Sequence, residues 1–216
     1  MEASLQYDAG RGLSGFVTLF RTELTDRIAR PVGATGGETE NIAEALLQGI
    51  EASGRMELTP ERTIRTEYTY THSEVTTSEA QGFTEGEPLF GVPAHMVNGW
   101  VEWRPTPTLE LSLGGEYRSS RHRPDHFHEP HLGGSAQGAS EALGDFRSYA
   151  LFDLAGTYQA SERVQLRAAV ENLLDRDFVD YRPYPLRNDP STTAYSNVYN
   201  NIREPRRLSL SVSASL

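Results

Sequence analysis

Two patterns in this sequence of 216 residues predict an all-β fold, an antiparallel transmembrane β-barrel. Apolar and polar residues alternate with a period of two in many segments, which places them on opposite faces of β-strands. Short connections alternate with long ones, as in membrane barrels that have short periplasmic turns and long extracellular loops. The chain is therefore expected to form the C-terminal portion of a larger barrel, with about nine strands.

The clearest alternation lies near the end of the sequence. From Leu208 to Leu216 every second residue is apolar, and every residue between them is serine. A helix would spread the apolar residues over all of its faces, whereas a strand separates them from the serines. The same reasoning predicts nine strands, at about Glu2–Tyr7, Leu13–Asp26, Ile50–Leu58, Thr63–Val75, Val97–Arg104, Leu109–Arg118, Phe152–Gln159, Val164–Glu171 and Arg207–Leu216.

The connections between these strands are sorted by length. A soluble sandwich has no reason to place all of its long loops at one end, whereas a membrane barrel does. Four connections are tight turns rich in Gly, Pro, Ser and Thr: Asp8–Gly12, Thr59–Arg62, Pro105–Thr108 and Ala160–Arg163. The long links cover roughly Arg27–Glu44, Thr76–Ala94, His122–Asp145 and Arg176–Pro205.

The two predicted faces differ in chemistry, since one carries Leu, Val, Ala, Gly and aromatic residues and the other Glu, Arg, Gln, Ser and Thr. The pattern alone fits a soluble barrel with an apolar interior or a membrane barrel with an apolar exterior. Strand length and loop rhythm favour the apolar exterior. Trp103, Tyr117 and Tyr158 lie near strand ends, which suits interfacial girdles. For Leu13–Asp26 the facing stays open, because both alternations contain large apolar residues.

Composition excludes several other classes. The net charge of −10 argues against nucleic-acid binding, and no apolar run approaches the roughly eighteen residues of a spanning helix. No cysteine is present, which excludes a disulfide and a thiol nucleophile. The first residues, from Met1, carry no secretory signal. We therefore expect either a cytosolic chain or a piece of a longer precursor whose signal peptide is absent from this sequence.

Several short motifs, in order along the sequence, resemble TonB-dependent outer-membrane receptors. The run Asn172-Leu173-Leu174-Asp175 resembles the Asn-Leu-(Leu/Phe)-Asp strand end near their C-terminus. Within that family the chain is most similar to ferric catecholate siderophore receptors of the colicin-receptor type. Further segments resemble a hairpin entry, a Gly-hydrophobic-Glu strand start, a proline-marked strand entry, and the last loop with the closing strand: Gly12–Ile28, Leu47–Ala52, Val92–His95 and Tyr199–Leu210.

This resemblance implies an outer-membrane receptor for TonB-energised uptake of a ferric siderophore, with a catecholate favoured. It implies three partners: the siderophore, the outer-membrane lipid, and the TonB system, which is reached through an N-terminal part. No cofactor is expected. Residues 1–216 match the barrel alone, so the plug domain and the TonB box are expected to be absent from this sequence. Leu216 departs from the aromatic residue that usually ends such barrels.

Candidate binding residues lie in the long loops. Arg and Tyr suit a flat, anionic, aromatic iron chelate through charge pairing and stacking, although loop solubility explains them equally well. The candidates for ligand binding are Arg187, Tyr195, Arg182, Tyr184, Arg118 and Arg121. His126 and His128 are weak candidates for a metal site, because they project from the same side of an extended segment. A solvated polar loop is the favoured interpretation of that His-rich segment.

No catalytic motif is present, so we do not expect an enzyme. No Gly-x-Ser-x-Gly elbow occurs, and Gly33–Gly37 lacks the lysine of a phosphate-binding loop. Two other functions stay open at this point. One is a passive outer-membrane pore or structural barrel, and the other is an outer-membrane hydrolase.

Overall fold

The computed structural model describes residues 1–10, 12–29, 40–78, 85–89, 91–122, 145–176, 179–185, 195–202 and 205–215; for 26–29, 40–43, 78, 179–185 and 195–202 it describes the backbone alone. All regular structure in these ranges is β-strand, which confirms the predicted all-β class. No helix in them is long and apolar enough to cross a bilayer. The strands are β1 (Glu2–Gly10), β2 (Leu13–Ala29), β3 (Glu40–Thr59), β4 (Arg62–Ser78), β5 (His95–Thr106), β6 (Leu109–Arg118), β7 (Tyr149–Ser161), β8 (Val164–Glu171), β9 (Val179–Pro185), β10 (Tyr195–Ile202) and β11 (Arg207–Ala214).

Nine of these strands form one antiparallel sheet in the order β1-β2-β3-β4-β5-β6-β7-β8-β11. Each strand pairs with the next along the chain as far as β8, which pairs with β11. Between them in sequence, β9 and β10 form a separate antiparallel hairpin. The nine predicted strands are confirmed. The prediction of Arg176–Pro205 as one long loop is wrong, because that segment contains the hairpin.

Two further long links are shorter than predicted. β2 continues to Ala29 and β3 begins at Glu40, so strand occupies both ends of the predicted link Arg27–Glu44. β4 likewise continues to Ser78. Backbone pairing persists there, for example between residues 43 and 78, although neither face carries a continuous apolar row. The link His122–Asp145 lies outside the described residues except at its two ends.

The four predicted tight turns are confirmed, and each leaves two residues between its strands: β1 to β2, β3 to β4, β5 to β6, and β7 to β8. A register shift precedes each of these turns in the strand that enters it. Such bulges increase local twist and help a strand to reverse. In the first turn Gly10 and Gly12 have φ of 65° and 77°, a conformation that glycine adopts without steric cost.

Register aligns the apolar residues into rows that cross the sheet. The most complete row spans eight strands in direct pairing: Leu13, Met56, Ile64, Val101, Leu113, Leu154, Val170 and Leu208. The side of the sheet that bears this row is called the apolar face, and the opposite side is called the polar face. Val17 pairs with Leu5 and lies on the apolar face, whereas Phe16 pairs with Gln6 on the polar face. Register thus resolves the facing of β2 that the sequence leaves open.

Charged residues bound the apolar face at both ends of the strands. On β4 it runs from His72, which pairs with Glu74 at 3.3 Å, to Arg62, whose Cζ lies 5.5 Å from the ring centre of Trp103. Ten residues of strand span about 33 Å. At a tilt of about 40° this gives a height of about 25 Å, the apolar band of a membrane barrel.

Few apolar side chains are buried inside the described structure. The buried hydrophobic residues of that part are Ala45, Val75, Leu89 and Tyr149. Large apolar side chains on the apolar face are instead exposed, including Leu154 at 39% and Leu210 at 76%. The polar face bears an open recess of about 440 Å³, lined in part by Arg65 and Trp100. The sheet is therefore organised by strand pairing, with most of its large apolar side chains on the face opposite the charged one.

Candidate functional site

The candidate site is the end of the sheet from which the long connections leave, here called the rim. β2, β4, β6 and β8 end at the rim, whereas the four two-residue turns lie at the opposite end. Three segments with described side chains meet there: residues 85–94 without 90, residues 119–122 and residues 145–149. The rim therefore collects residues that are far apart in the sequence.

Arg118, a predicted binding residue, lies at the end of β6 and is held by neighbouring groups. Its Nη1 donates to Asn98 Oδ1 at 3.1 Å and to the Tyr117 carbonyl at 3.0 Å. Its Nη2 lies 3.6 Å from Glu116 Oε2. Tyr149 donates from its hydroxyl to Glu116 Oε1 at 2.9 Å. The guanidinium thus joins β5 and β6 on the polar face, and Glu116 links this pair to Tyr149 of β7.

The same row of the polar face carries two carboxylates. Asn98 pairs in register with Glu67 on one side and Glu116 on the other, and it donates to Glu67 Oε2 at 3.4 Å. Charge-assisted contacts of this kind are stronger than neutral ones and fix side-chain geometry. The alternation predicted a polar face for Asn98 and Glu116 but not this network, because cross-strand partners depend on register.

Arg121, the second predicted binding residue in this region, lies just beyond β6. Its backbone pairs with Phe146 through two hydrogen bonds of 3.0 and 2.9 Å, and it also bridges to Pro93. The guanidinium carbon lies 5.0 Å from the ring centre of Phe146, a cation–π distance. Arg121 therefore ties together the two connections that flank β5 and β6 at the rim.

His122 lies between two carboxylates that belong to different connections. Its Nε2 is 3.6 Å from Glu87 Oε2, and its Nδ1 is 3.4 Å from Asp145 Oδ1. The His122 carbonyl accepts a hydrogen bond from the Gly91 amide at 3.1 Å. At 3.6 Å the Nε2 contact is too long for a hydrogen bond, so the imidazole lies between the two carboxylates without donating to both. These two contacts join residues that are far apart in sequence, and the residue pattern did not predict them.

A small apolar cluster joins β3 and β4 to the β4–β5 connection at the rim. Ala45 on β3, Val75 on β4 and Leu89 of the following connection are each buried. The Leu89 amide donates to the buried Ser73 hydroxyl at 3.1 Å, and the Val75 amide donates to the Glu87 carbonyl at 2.9 Å. This packing holds the described part of the β4–β5 connection against the sheet and sets the position of Glu87.

Three predicted binding residues, Arg182, Tyr184 and Tyr195, come together on the β9–β10 hairpin. Tyr184 is in register with Ser196, and Arg182 is in register with Tyr199. The backbone thus gathers Arg and Tyr positions that are separated in sequence. The structure describes only the backbone of these three residues, and Arg187 lies outside the described residues.

No group of three His, Cys, Asp or Glu residues in the described ranges is arranged to hold a metal ion. His126 and His128, the weak metal candidates, lie outside those ranges, and so does Leu216. The metal site in the His-rich segment stays a prediction.

Comparisons with known proteins agree with this architecture. Residues 1–173 match a family model described as TonB dependent receptor-like, beta-barrel. An iron-regulated outer membrane virulence protein of Vibrio cholerae is 31% identical over 85% of this chain and 28% of its own length. A ferric enterobactin receptor of Pseudomonas aeruginosa is 25% identical over 76% of this chain and 22% of its own length.

A solved structure gives the same fold. The crystal structure of the siderophore receptor PiuA from Acinetobacter baumannii superposes with a TM-score of 0.70 at 20% identity, covering 99% of this chain and 28% of that chain. This chain thus spans less than a third of the length of each of these three proteins. The family match over 173 residues confirms the resemblance that the short motifs indicated, and the chain belongs to the TonB-dependent receptor-like β-barrel family.

Proposed function

We propose that the chain is part of an outer-membrane receptor that imports a ferric siderophore with energy supplied through TonB. The relatives are named for iron-regulated expression, ferric enterobactin and siderophore reception, which supports this assignment. The observation that carries it is the apolar face of the nine-stranded sheet, opposite a face that bears charged residues. That arrangement suits a barrel wall between lipid and a polar lumen.

In this proposal the apolar face contacts outer-membrane lipid and the rim faces outward. Residues 1–216 supply barrel strands, and the plug and the TonB-contacting segment belong to an N-terminal part of the full-length receptor. The TonB system therefore reaches this part of the receptor only indirectly. No enzymatic step is assigned to the chain.

The proposed ligand is an anionic ferric chelate, with a catecholate favoured. Its charge suits guanidinium groups and its rings suit stacking on tyrosine. Arg182, Tyr184 and Tyr195 of the hairpin, with Arg187 of the same connection, are the favoured contacts. Arg118 is proposed to act more indirectly, because its guanidinium is already shared between Glu116 and Asn98.

The test uses the full-length receptor with Arg187→Ala and Tyr195→Ala combined. Loss of one charge-assisted hydrogen bond costs roughly 1.5–3 kcal/mol, so affinity for a ferric catecholate should fall roughly ten- to hundred-fold. Surface expression should stay normal, because Tyr195 belongs to the separate two-stranded hairpin and Arg187 falls between β9 and β10 in the sequence. Binding isotherms on purified receptor measure the effect.

The matched control is His126→Ala combined with His128→Ala in the same receptor. This pair should leave affinity for a ferric catecholate nearly unchanged, since neutral imidazoles add little attraction for an anion. Binding isotherms are also measured with haem, as the contrasting ligand. Loss of binding in the His pair together with normal binding in the Arg–Tyr pair would contradict the siderophore assignment. Uptake that continues without an energised inner membrane would indicate a passive pore instead.

A further inference from the structure

The turn that follows β8 combines two unusual backbone conformations with side chains that bind backbone. Asn172 and Asp175 have φ of 49° and 52°, in the left-handed region. Asn and Asp tolerate this region better than other residues that carry a side chain. Asn172 is also buried, with 6% of its surface exposed. A buried side-chain amide is normally hydrogen-bonded, because an unpaired polar group in the interior is costly.

The side chain of Asn172 closes a ring with Arg176. Its Nδ2 donates to the Arg176 carbonyl at 3.0 Å, and its Oδ1 accepts from the Arg176 amide at 2.8 Å. An amide supplies a donor and an acceptor together, whereas a carboxylate supplies acceptors alone. The backbone amide of Asn172 in turn donates to Asp153 Oδ1 on β7 at 2.8 Å. Arg176, where the chain leaves the sheet, is thereby fixed to the barrel wall.

Asp175 holds the other end of the same connection. Its Oδ1 accepts from the Arg206 amide at 3.0 Å, immediately before β11 begins. Its own amide donates to the Asn172 carbonyl at 2.8 Å, which links the two residues. The departing residue and the returning residue of the β8–β11 connection are thus bound by side chains three positions apart in sequence.

The hairpin within that connection depends on these two ends. In the part of the chain that the structure describes, β9 and β10 pair with each other and share no ladder with the nine-stranded sheet. Along the chain, the hairpin follows Arg176 and precedes Arg206, the two residues whose backbone groups Asn172 and Asp175 bind.

We propose that Asn172 and Asp175 are positioning residues for the β9–β10 hairpin, which carries the proposed ligand contacts. The role of the hairpin in ligand binding rests on the proposed function, but its positioning by these two residues does not depend on a ligand. Neither residue contacts the chelate. Each lowers the cost of binding by holding the hairpin in place before the ligand arrives, since ordering a loop on binding opposes association.

The test is Asn172→Gly in the full-length receptor, because glycine keeps the positive φ and removes the amide that binds Arg176. Without ligand, hydrogen exchange at residues 179–185 and 195–202 should rise at least tenfold, while exchange in β7 and β8 stays unchanged. Affinity for a ferric tris-catecholate should fall several-fold. Asn172→Asp keeps the acceptor and loses the donor, so its effect should be intermediate.

A purely structural role predicts a different result. Exchange in β8 and β11 would then rise together with that of the hairpin, and the heat-resistant folded fraction would fall; this outcome, or unchanged hairpin exchange, overturns the proposal. If Asn172→Gly does not assemble, Asp175→Gly releases Arg206 alone and gives the same readout. A wild-type receptor that does not bind the ferric chelate defeats the proposed function, while the exchange result still decides the positioning.

Discussion

The apolar face and the rim of this sheet are built by different interactions. On the apolar face, alternate residues of each strand lie on one side, pairing aligns them into a row across eight strands, and most of the large side chains in that row are exposed. At the rim, residues from separate connections meet in specific pairs, such as His122 with Glu87 and Asp145. The alternation within each strand is a local pattern, whereas each rim contact joins residues that are distant in sequence. Substitutions should therefore act on them in different ways: by side-chain polarity on the apolar face, and by partner identity at the rim.

The largest effect is expected for Leu113→Arg in the full-length receptor. Leu113 lies in the middle of the eight-strand row, and an arginine facing lipid near the bilayer centre costs roughly 2–4 kcal/mol. The folded, heat-modifiable fraction in outer-membrane preparations should drop sharply.

Ser112→Arg is the matched control, on the same strand and the opposite face. Ser112 pairs with Glu102, so a guanidinium there meets a carboxylate on the polar face. Assembly should be close to wild type. Equal loss of folding in both variants would show that the two faces do not differ in environment.

A moderate effect is expected for Tyr149→Phe at the rim. The change removes the hydroxyl that donates to Glu116 at 2.9 Å and keeps the buried ring. The loss should be about 1 kcal/mol in unfolding free energy, because Glu116 retains its contact with Arg118. Urea titration of the refolded full-length receptor measures it. A loss as large as that of Leu113→Arg would mean that the rim network carries the stability of the sheet.

The smallest effect is expected for Arg21→Ala, at the rim end of the apolar face. Arg21 pairs with Glu23 at 2.8 Å, but the two side chains are 50% and 67% exposed. Exposed ion pairs contribute roughly 0–1 kcal/mol. The same urea titration should therefore give a midpoint close to wild type, and a large shift would indicate that this pair is not in a water-like environment.

The contrast between the regions also explains what the sequence could predict. The alternation at Leu109–Tyr117 and Leu208–Ala214 indicated strands, faces and tight turns, all of which depend on neighbours within a few residues. The hairpin β9–β10 was missed because Pro183 and Pro185 interrupt its pattern and polar residues dominate β10. Proline within a run argues against a strand in sequence reasoning, yet it is tolerated in edge pairing.

The candidate site was predicted less completely than the fold. Arg118 and Arg121 were selected for their charge, and the structure places both at the rim, where Glu116 and Phe146 engage them. His122 was named only as the first residue of a predicted long link. Its partners are 35 and 23 residues away in sequence, at Glu87 and Asp145. Such contacts require the register of the sheet, which the residue pattern does not contain.

In the proposed receptor, the apolar face contacts lipid and the polar face lines the lumen. The most direct measurement places single nitroxide labels along β6 of the full-length receptor in bilayers, from residue 110 to residue 117, and records collision with oxygen and with a water-soluble nickel chelate. Oxygen access should peak at Leu111, Leu113 and Gly115 and fall at Ser112 and Glu116, with a period of two. The opposite phase, with the peaks at Ser112 and Glu116, would contradict the claim.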